Sequence, residues 1–426
     1  MNIEIINTGS ELMLGRVLNT HQRWICRQLA DAGWIVTRQL GIPDNGPAIR
    51  DAVAEALARA ELVITTGGLG PTSDDITRDL VAELLGLPLR EDSSIREAIA
   101  RFFAIRGREA PESVMVQARV PEGARVLANA CGTAPGLVIQ VPAGRLAPHG
   151  SWLVMLPGPP RELHPMFTDQ VVPLLRQCLP EQPRFTCVTL RTTGIGESWL
   201  EERLAPHLPP LLARGLEVGY CARSGEVDVR LAGRGESGVA VVQQAEALVR
   251  ARLGESIYGT GDDSLEQAVI RCALQQAARL AVAESCTGGL VSHRLTNVPG
   301  ASQVYWGGWV TYDNQAKTTQ LGVAPALLAA EGAVSEACAR SMAEGARTRA
   351  QATHAGAITG IAGPTGATPG KPVGTAFIAV ASPHGTLAKR FLNSYDRETF
   401  KQVTSQQALE MLRRSLLHGA GTPPAT

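Results

Sequence analysis

Short apolar runs alternate with amphipathic stretches from the first residues onward. IEIINTG reads as a strand, a helix follows from Asn19 to Ala32 and is closed by Gly33, and WIVTRQLG reads as a second strand. A helix from Pro47 to Ala60 then precedes LVITTGG. This rhythm predicts a parallel sheet covered by helices. The strand Leu62–Thr66 empties into GGLGPTSDD, with a helix beginning near Ile76, so the loop lies at the carboxyl end of a strand, where open α/β sheets bind ligands. Residues 93–140 read as helical first and then strand-like, and SWLVMLPGPPREL, Ser151 to Leu163, is again an apolar strand ending in a Gly/Pro loop. This first domain is placed at residues 1–180.

The texture changes over residues 184–261. FTCVTLRTTG and EVDVRLAG read as strands and Ser198–Ala205 and Val239–Leu253 as helices, a small α+β module. GTGDD, Gly259–Asp263, serves as a linker, and Ser264-Leu265-Glu266-Gln267 has the form of a capping box. A third domain, residues 264–418, starts there. It holds a strand ending at Glu284, strands around Val304–Tyr312, an Ala-rich helix from Ser335 to Ala352, the strands AGAITG, TAFIAVA and LAKRFL, and a last helix from Arg397 to Leu417. The tail GAGTPPAT is small and polar, the composition of a disordered end. The expected class is therefore α/β: two three-layer α/β domains joined by a small α+β module.

Length agrees, since 426 residues at roughly 150 per domain make about three domains. The 40 basic and 40 acidic residues cancel and are interspersed, which leaves no electrostatic footprint for a phosphate backbone, so nucleic acid is not an expected partner. The eight cysteines are scattered, with no CxxC and no Cys/His cluster, as in a protein kept reduced in the cytoplasm. No stretch of 18 apolar residues and no leader-like start occurs, so a soluble cytoplasmic protein without a membrane partner is expected.

The candidate chemistry concentrates in the third domain. In AVAESCTGGLVSH a strand ends on Glu284, exposes Ser285 and passes two glycines into a helical pattern. Serine needs a base, and Lys317 in YDNQAK serves as one if burial lowers its pKa; Asp313 or Asn314 would cap the helix that carries it, and Tyr312 would relay the proton or fix the amine. The N–H groups of Thr287, Gly288 and Gly289 would face a developing oxyanion. TGIAGPTG, with Thr359, Gly360 and Gly363, suits a phosphate or ribose as well as it suits a plain turn between strands. Against these stand plainer readings: Ser285 as an N-cap, Lys317 as a solvated surface residue, and Cys286 as either a rival nucleophile or a small buried residue. In the first domain Gly67, Gly68, Gly70 and Thr72 suit a phosphate, and Asp74 and Asp75 a divalent cation; the glycines and aspartates equally well make a turn and favour a helix start, and the two readings stand level. GTAPG, Gly132 to Gly136, and LPGPPREL add further loops, with Glu162 as a possible ligand or general base.

Taken together, ESCTGG, VTYDNQAK, TGIAGPTG and KPVGTAFIAV resemble the C-terminal domain of the CinA family, the PncC-type nicotinamide mononucleotide amidohydrolases. The resemblance implies hydrolysis of the carboxamide of nicotinamide mononucleotide to nicotinate mononucleotide and ammonia, without a cofactor, by Ser285 and Lys317 with Tyr312 assisting. Ser394-Tyr395-Asp396-Arg397 and Lys401 stand where the family carries a Gly-Asp-Arg stretch and a further arginine; Arg397 is the candidate for the substrate phosphate. GSELMLGRVLNTH, LVITTGGLGPTSDDIT, QARVPEGA, GTAPG and LPGPP are similar to the family's N-terminal domain. That domain resembles the molybdopterin-binding fold of MoaB/MogA proteins, and the likeness implies metal-dependent hydrolysis of ADP-ribose there. Val114 replaces an expected asparagine and Gly41-Ile42-Pro43-Asp44 an expected Val-Gly-Asp pattern. GIGESWLEERL and GEVDVRLAG resemble the family's KH-like module, here without a basic GxxG loop for RNA. Such a module between two α/β domains suits a homodimer. Three functions compete: the amidohydrolase, an N-terminal ADP-ribose pyrophosphatase as main activity, and a non-catalytic scaffold.

Overall fold

A computed structural model describes residues 1–183 and 185–418; the tail GAGTPPAT lies outside the described residues. The chain divides into two units, Met1–Phe185 and Thr186–Thr426, so the middle module and the third domain share the second unit. Among the described residues no helix is long and apolar enough to cross a membrane.

The first unit follows the α/β rhythm. Strand β1 (Ile3–Thr8), helix α1 (Thr20–Asp31), strand β2 (Arg38–Ile42), helix α2 (Gly46–Arg59), strand β3 (Leu62–Thr66) and helix α3 (Thr77–Leu85) come in turn. Strands β4 (Arg125–Leu127), β5 (Gly136–Val141) and β6 (Ser151–Leu156) complete a six-stranded sheet of order β2-β1-β3-β6-β5-β4. β1, β2, β3 and β6 are parallel, β5 pairs antiparallel with β6, and β4 pairs antiparallel with β5. Both faces are covered, because the two-residue period sends Leu62 and Ile64 to one apolar cluster and Val63 to the other. Asn19 and Asn45 cap α1 and α2 through their side chains. The second strand starts only at Arg38, four residues after Trp34, whose ring is buried without joining the ladder.

In the second unit, β7 (Phe185–Thr193), α4 (Glu197–Leu204), β8 (Glu217–Arg223), β9 (Glu226–Arg234), α5 (Gly235–Leu253) and β10 (Ile257–Thr260) build the small module. Its sheet order is β8-β9-β7-β10. Helix α5 starts four residues before the expected Val239, because Gly238 sits against the Gly233 backbone, an approach that a side chain would block. The capping box at Ser264 is present and opens α6 (Leu265–Gln275).

Next come β11 (Leu280–Glu284), α7 (Leu290–Thr296), β12 (Tyr305–Val310), α8 (Asn314–Leu321), α9 (Pro325–Glu331), α10 (Glu336–Ala350), β13 (His354–Gly360), β14 (Thr375–Ser382), β15 (Gly385–Leu392) and α11 (Arg397–His418). The sheet order is β12-β11-β13-β14-β15. β12, β11 and β13 are parallel; β14 and β15 are antiparallel. In β11, Leu280 and Val282 face one cluster with α6 and α11, and Ala281 and Ala283 face the other with α10. The alanines let α10 lie close to the sheet.

Gly345 shows how tight that packing is. A Cβ there would lie 2.0 Å from the carbonyl oxygen of Leu321, the last residue of α8. Alanine is worth about 1 kcal/mol over glycine inside a helix, but a backbone carbonyl cannot step aside cheaply. Gly345→Ala is therefore expected to destabilise by about 2 kcal/mol despite its better propensity. Urea denaturation checks it, and a stabilised variant refutes the close approach.

Candidate active site

The site grows from the carboxyl end of β11. Ser285 donates its N–H to the carbonyl of Ile358 on β13 at 2.9 Å, so its backbone remains part of the sheet although the strand has ended. Gly288 and Gly289 then take φ of +63° and +96°, which reverse the chain into α7 within four residues and favour glycine. Helix α7 begins only at Leu290 with Gly289 as its N-cap, which removes the plainer reading of Ser285 as a cap.

Glu284 occupies that place. Its carboxylate is fully buried; Oε2 accepts from the N–H of Gly289 (3.0 Å) and Val291 (3.1 Å), and Oε1 from the N–H (2.8 Å) and hydroxyl (2.7 Å) of Ser292. The positive end of α7 is thus already neutralised. Gly288 donates its N–H to the Ser285 carbonyl, so neither Gly288 nor Gly289 has an N–H free for an oxyanion, which corrects that part of the expectation. Among the described residues, the N–H groups of Cys286 and Thr287 meet no carbonyl or carboxylate; they lie beside the Cys286 thiol. Thr287 is buried, with its own hydroxyl unpartnered.

Lys317 approaches from α8. Asp313 is the N-cap, accepting from the Gln315 N–H at 2.7 Å, and Lys317 follows one turn into the helix. Its side chain is 1% exposed, which removes the surface reading. Nζ lies 3.3 Å from Ser285 Oγ, 2.9 Å from the Thr311 carbonyl and 3.1 Å from the Tyr312 carbonyl. Burial pushes the amine below its ordinary pKa, against the opposing pull of Cys338, Asp313 and other groups near it.

Of the two roles expected of Tyr312, the structure places it to fix the amine, through its main chain. Its backbone carbonyl touches the amine, while its exposed phenol accepts a hydrogen bond from Arg397 Nη2 at 3.0 Å. Arg397 Nη1 also donates to the Gly363 carbonyl at 2.8 Å, which fixes the guanidinium at the rim of a cavity of about 180 Å³. Ser285, Lys317, Asn314, Thr359 and Gly360 line that cavity. The Thr359 hydroxyl donates to the Ala333 carbonyl, so it braces the wall. Gly360 leaves no space for a side chain: a Cβ would lie 2.7 Å from the Thr375 carbonyl. Lys401, one turn after Arg397, brings Nζ within 3.7 Å of where a Gly288 side chain would begin.

The N-terminal loop closes upon itself. Gly67 and Gly68 have positive φ, and Cβ atoms there would strike Thr8 and Thr77. Asp75 Oδ2 accepts from the Thr72 N–H at 3.0 Å and from its hydroxyl at 2.5 Å, and the same carboxylate packs against Gly70. Asp74 is exposed, and the Thr72 side chain lowers its carboxyl pKa. Among the described residues no three His, Cys, Asp or Glu side chains gather around a point. Asp75 is thus engaged by Thr72 while Asp74 stands exposed, and no third His, Cys, Asp or Glu among the described residues joins the pair. Glu162 holds Asn129 at 2.8 Å and packs against Gly132, so it braces a loop. Val114 is buried in the apolar cluster, and Asp44 ties down the Ser10 N–H.

Three family models account for almost the whole chain: "CinA C-terminal domain" over residues 262–416, "Probable molybdopterin binding domain" over 4–177, and "Damage-inducible protein CinA KH domain" over 188–259. A CinA-like protein of Akkermansia muciniphila is 46% identical over 96% of each chain. The chain belongs to the CinA family. A Symbiobacterium thermophilum protein named for competence and damage induction is 43% identical over 98% of this chain and 99% of its own. A crystal structure of a competence/damage inducible protein from Agrobacterium tumefaciens, 39% identical, matches 36% of this chain and 94% of its own with a TM-score of 0.35. The N-terminal unit is thus the family's molybdopterin-binding type of α/β fold, and the small module its KH domain.

Within the CinA site the rival nucleophile differs sharply from Ser285. Cys286 borders the same cavity but is buried against the apolar cluster, and burial pushes its thiol up to about 12. Iodoacetamide at pH 8 is therefore expected to alkylate the exposed Cys131, Cys187 and Cys221 and to leave Cys286 unmodified. Peptide mass spectrometry of the native protein reads this directly, and early modification of Cys286 would contradict the buried placement.

Proposed function

We propose that the C-terminal domain is a serine/lysine amidohydrolase that converts the carboxamide of nicotinamide mononucleotide to the carboxylate and ammonia. The observation that carries this reading is the buried Lys317 amine, 3.3 Å from Ser285 Oγ and facing two carbonyl groups. A neutral amine has two N–H bonds and one lone pair. The carbonyls of Thr311 and Tyr312 take the former, which turns the lone pair toward the serine hydroxyl.

The steps follow from that orientation. Lys317 takes the Ser285 proton while Oγ bonds to the carboxamide carbon, and the resulting ammonium donates a proton to the departing nitrogen as the C–N bond breaks. Ammonia leaves an ester on Ser285. Water, deprotonated by the same amine, attacks the ester carbon, and the serine oxygen recovers its proton from Lys317. Arg397 at the rim, with Lys401 one turn further along α11, supplies positive charge for the nucleotide phosphate. No step is routed through the N-terminal loop.

Purified protein is expected to release ammonia from nicotinamide mononucleotide, and Ser285→Ala and Lys317→Ala each to lower the rate by about a thousandfold or more. Cys286→Ala keeps most of the activity; the reverse pattern, with the serine variant active, would sink the assignment. The pH dependence has a definite sign. The base works only as free amine, so kcat/KM rises with pH through the lowered Lys317 pKa and levels above it, with the ascending limb below the ordinary lysine value of 10.5. A limb centred at or above that value contradicts a desolvated base.

A further inference from the structure

Glu284 is not a member of the Ser285–Lys317 pair, yet it is the most heavily hydrogen-bonded carboxylate around the site. It is fully buried and takes four donors, three of them backbone N–H groups on the far side of the turn. A carboxylate so placed does two things. It joins the residue before the nucleophile to the start of α7, so the four residues between have their ends pinned together. It also removes the start of α7 as a place for any other anion, because its first N–H groups are engaged and its dipole is met by a full negative charge. Within the turn, Ser285 N–H is bound to Ile358 and Gly288 N–H to Ser285. The N–H groups of Cys286 and Thr287 turn to the Cys286 sulfur.

We propose that Glu284 is a positioning residue of the amidohydrolase site: by clamping the turn Ser285–Gly289 it sets the line of approach of Ser285 Oγ. This rests on the serine-nucleophile reading given above. An attack angle held by four hydrogen bonds is lost when one oxygen becomes an NH2 group, since a donor then faces the donors of Gly289 and Val291 or of Ser292. Substrate binding at the Arg397 rim is served by α11 and is not altered by that change.

The test compares Glu284→Gln and Glu284→Asp with the unaltered full-length chain. For Glu284→Gln, kcat for ammonia release from nicotinamide mononucleotide falls about a hundredfold, the scale of a nucleophile displaced by about 1 Å, while KM stays within threefold. Glu284→Asp, which keeps both oxygens but is shorter, gives an intermediate kcat. Labelling of Ser285 by a fluorophosphonate probe slows in the same order, with no nucleotide involved. A purely structural cap moves neither the split between kcat and KM nor the labelling rate of the folded fraction. Wild-type labelling in Glu284→Gln, or a KM that rises while kcat holds, overturns the proposal. Should Glu284→Gln fail to fold, the Asp variant decides by the same two readouts. If the unaltered chain releases no ammonia yet Ser285 labels and Glu284→Gln slows it, the substrate reading fails and the positioning role stands; a Ser285 that never labels overturns both.

Discussion

One buried amine organises the candidate site of the C-terminal domain. A lysine removed from water is costly as an ammonium, and the cost is met either by neutralising it or by surrounding it with acceptors. Lys317 has two carbonyls and a hydroxyl around Nζ and no carboxylate bonded to it. That is enough to hold the amine in place and too little to hold it charged as firmly as an ion pair would. The packing enforces the arrangement: α8 is pressed toward the sheet by α10, whose Gly345 touches the last carbonyl of α8, so Nζ cannot retreat toward solvent without moving a helix.

The serine side of the pair is held with equal firmness by a different force. Ser285 continues the β11–β13 ladder for one residue beyond the strand, and its following turn is closed by Glu284. Charge-assisted hydrogen bonds to a buried carboxylate are worth about 1.5–3 kcal/mol each, so the clamp outweighs the conformational freedom of a few residues, which costs about 1–2 kcal/mol per residue to fix. Two rigid supports, a strand end and a helix first turn, therefore face each other across 3.3 Å. Neither depends on a mobile loop.

Much of this was legible from residue patterns. Period-two apolar runs located the strands of both sheets, Asn19, Asn45 and Ser264 announced their helices, and the Ser285 and Lys317 segments pointed at each other across 32 positions. What stayed hidden were choices between equivalent donors. Nothing local says whether a glycine N–H faces a ligand or a neighbouring carboxylate; Glu284 decided that for Gly289, and the only trace of it is an acidic residue ending an apolar strand just before a Gly-Gly turn. Tyr312 was read by its phenol, yet it is the backbone carbonyl that meets the amine, a contact any residue type makes. Helix α9, Pro325–Glu331, is seven residues long and largely exposed, too short for a periodic signal.

The two glycine-rich loops, one in each α/β unit, leave the carboxyl ends of parallel strands in the same way and look equally suited to a nucleotide. Their interiors separate them. In Gly67–Asp75 the carboxylate of Asp75 turns inward to Thr72 and fills the space beside Gly70. In the Ser285 turn the carboxylate lies behind the chain, on the helix side, and leaves the front open to a cavity bounded by Lys317 and Arg397. The sequence spacing of acid and glycine is what sets this. An acid five residues after the third glycine folds back into its loop, whereas an acid four residues before the first is anchored in the sheet and can only reach forward to the helix. The same residue types therefore turn one carboxylate into its loop and leave a serine facing a cavity in the other.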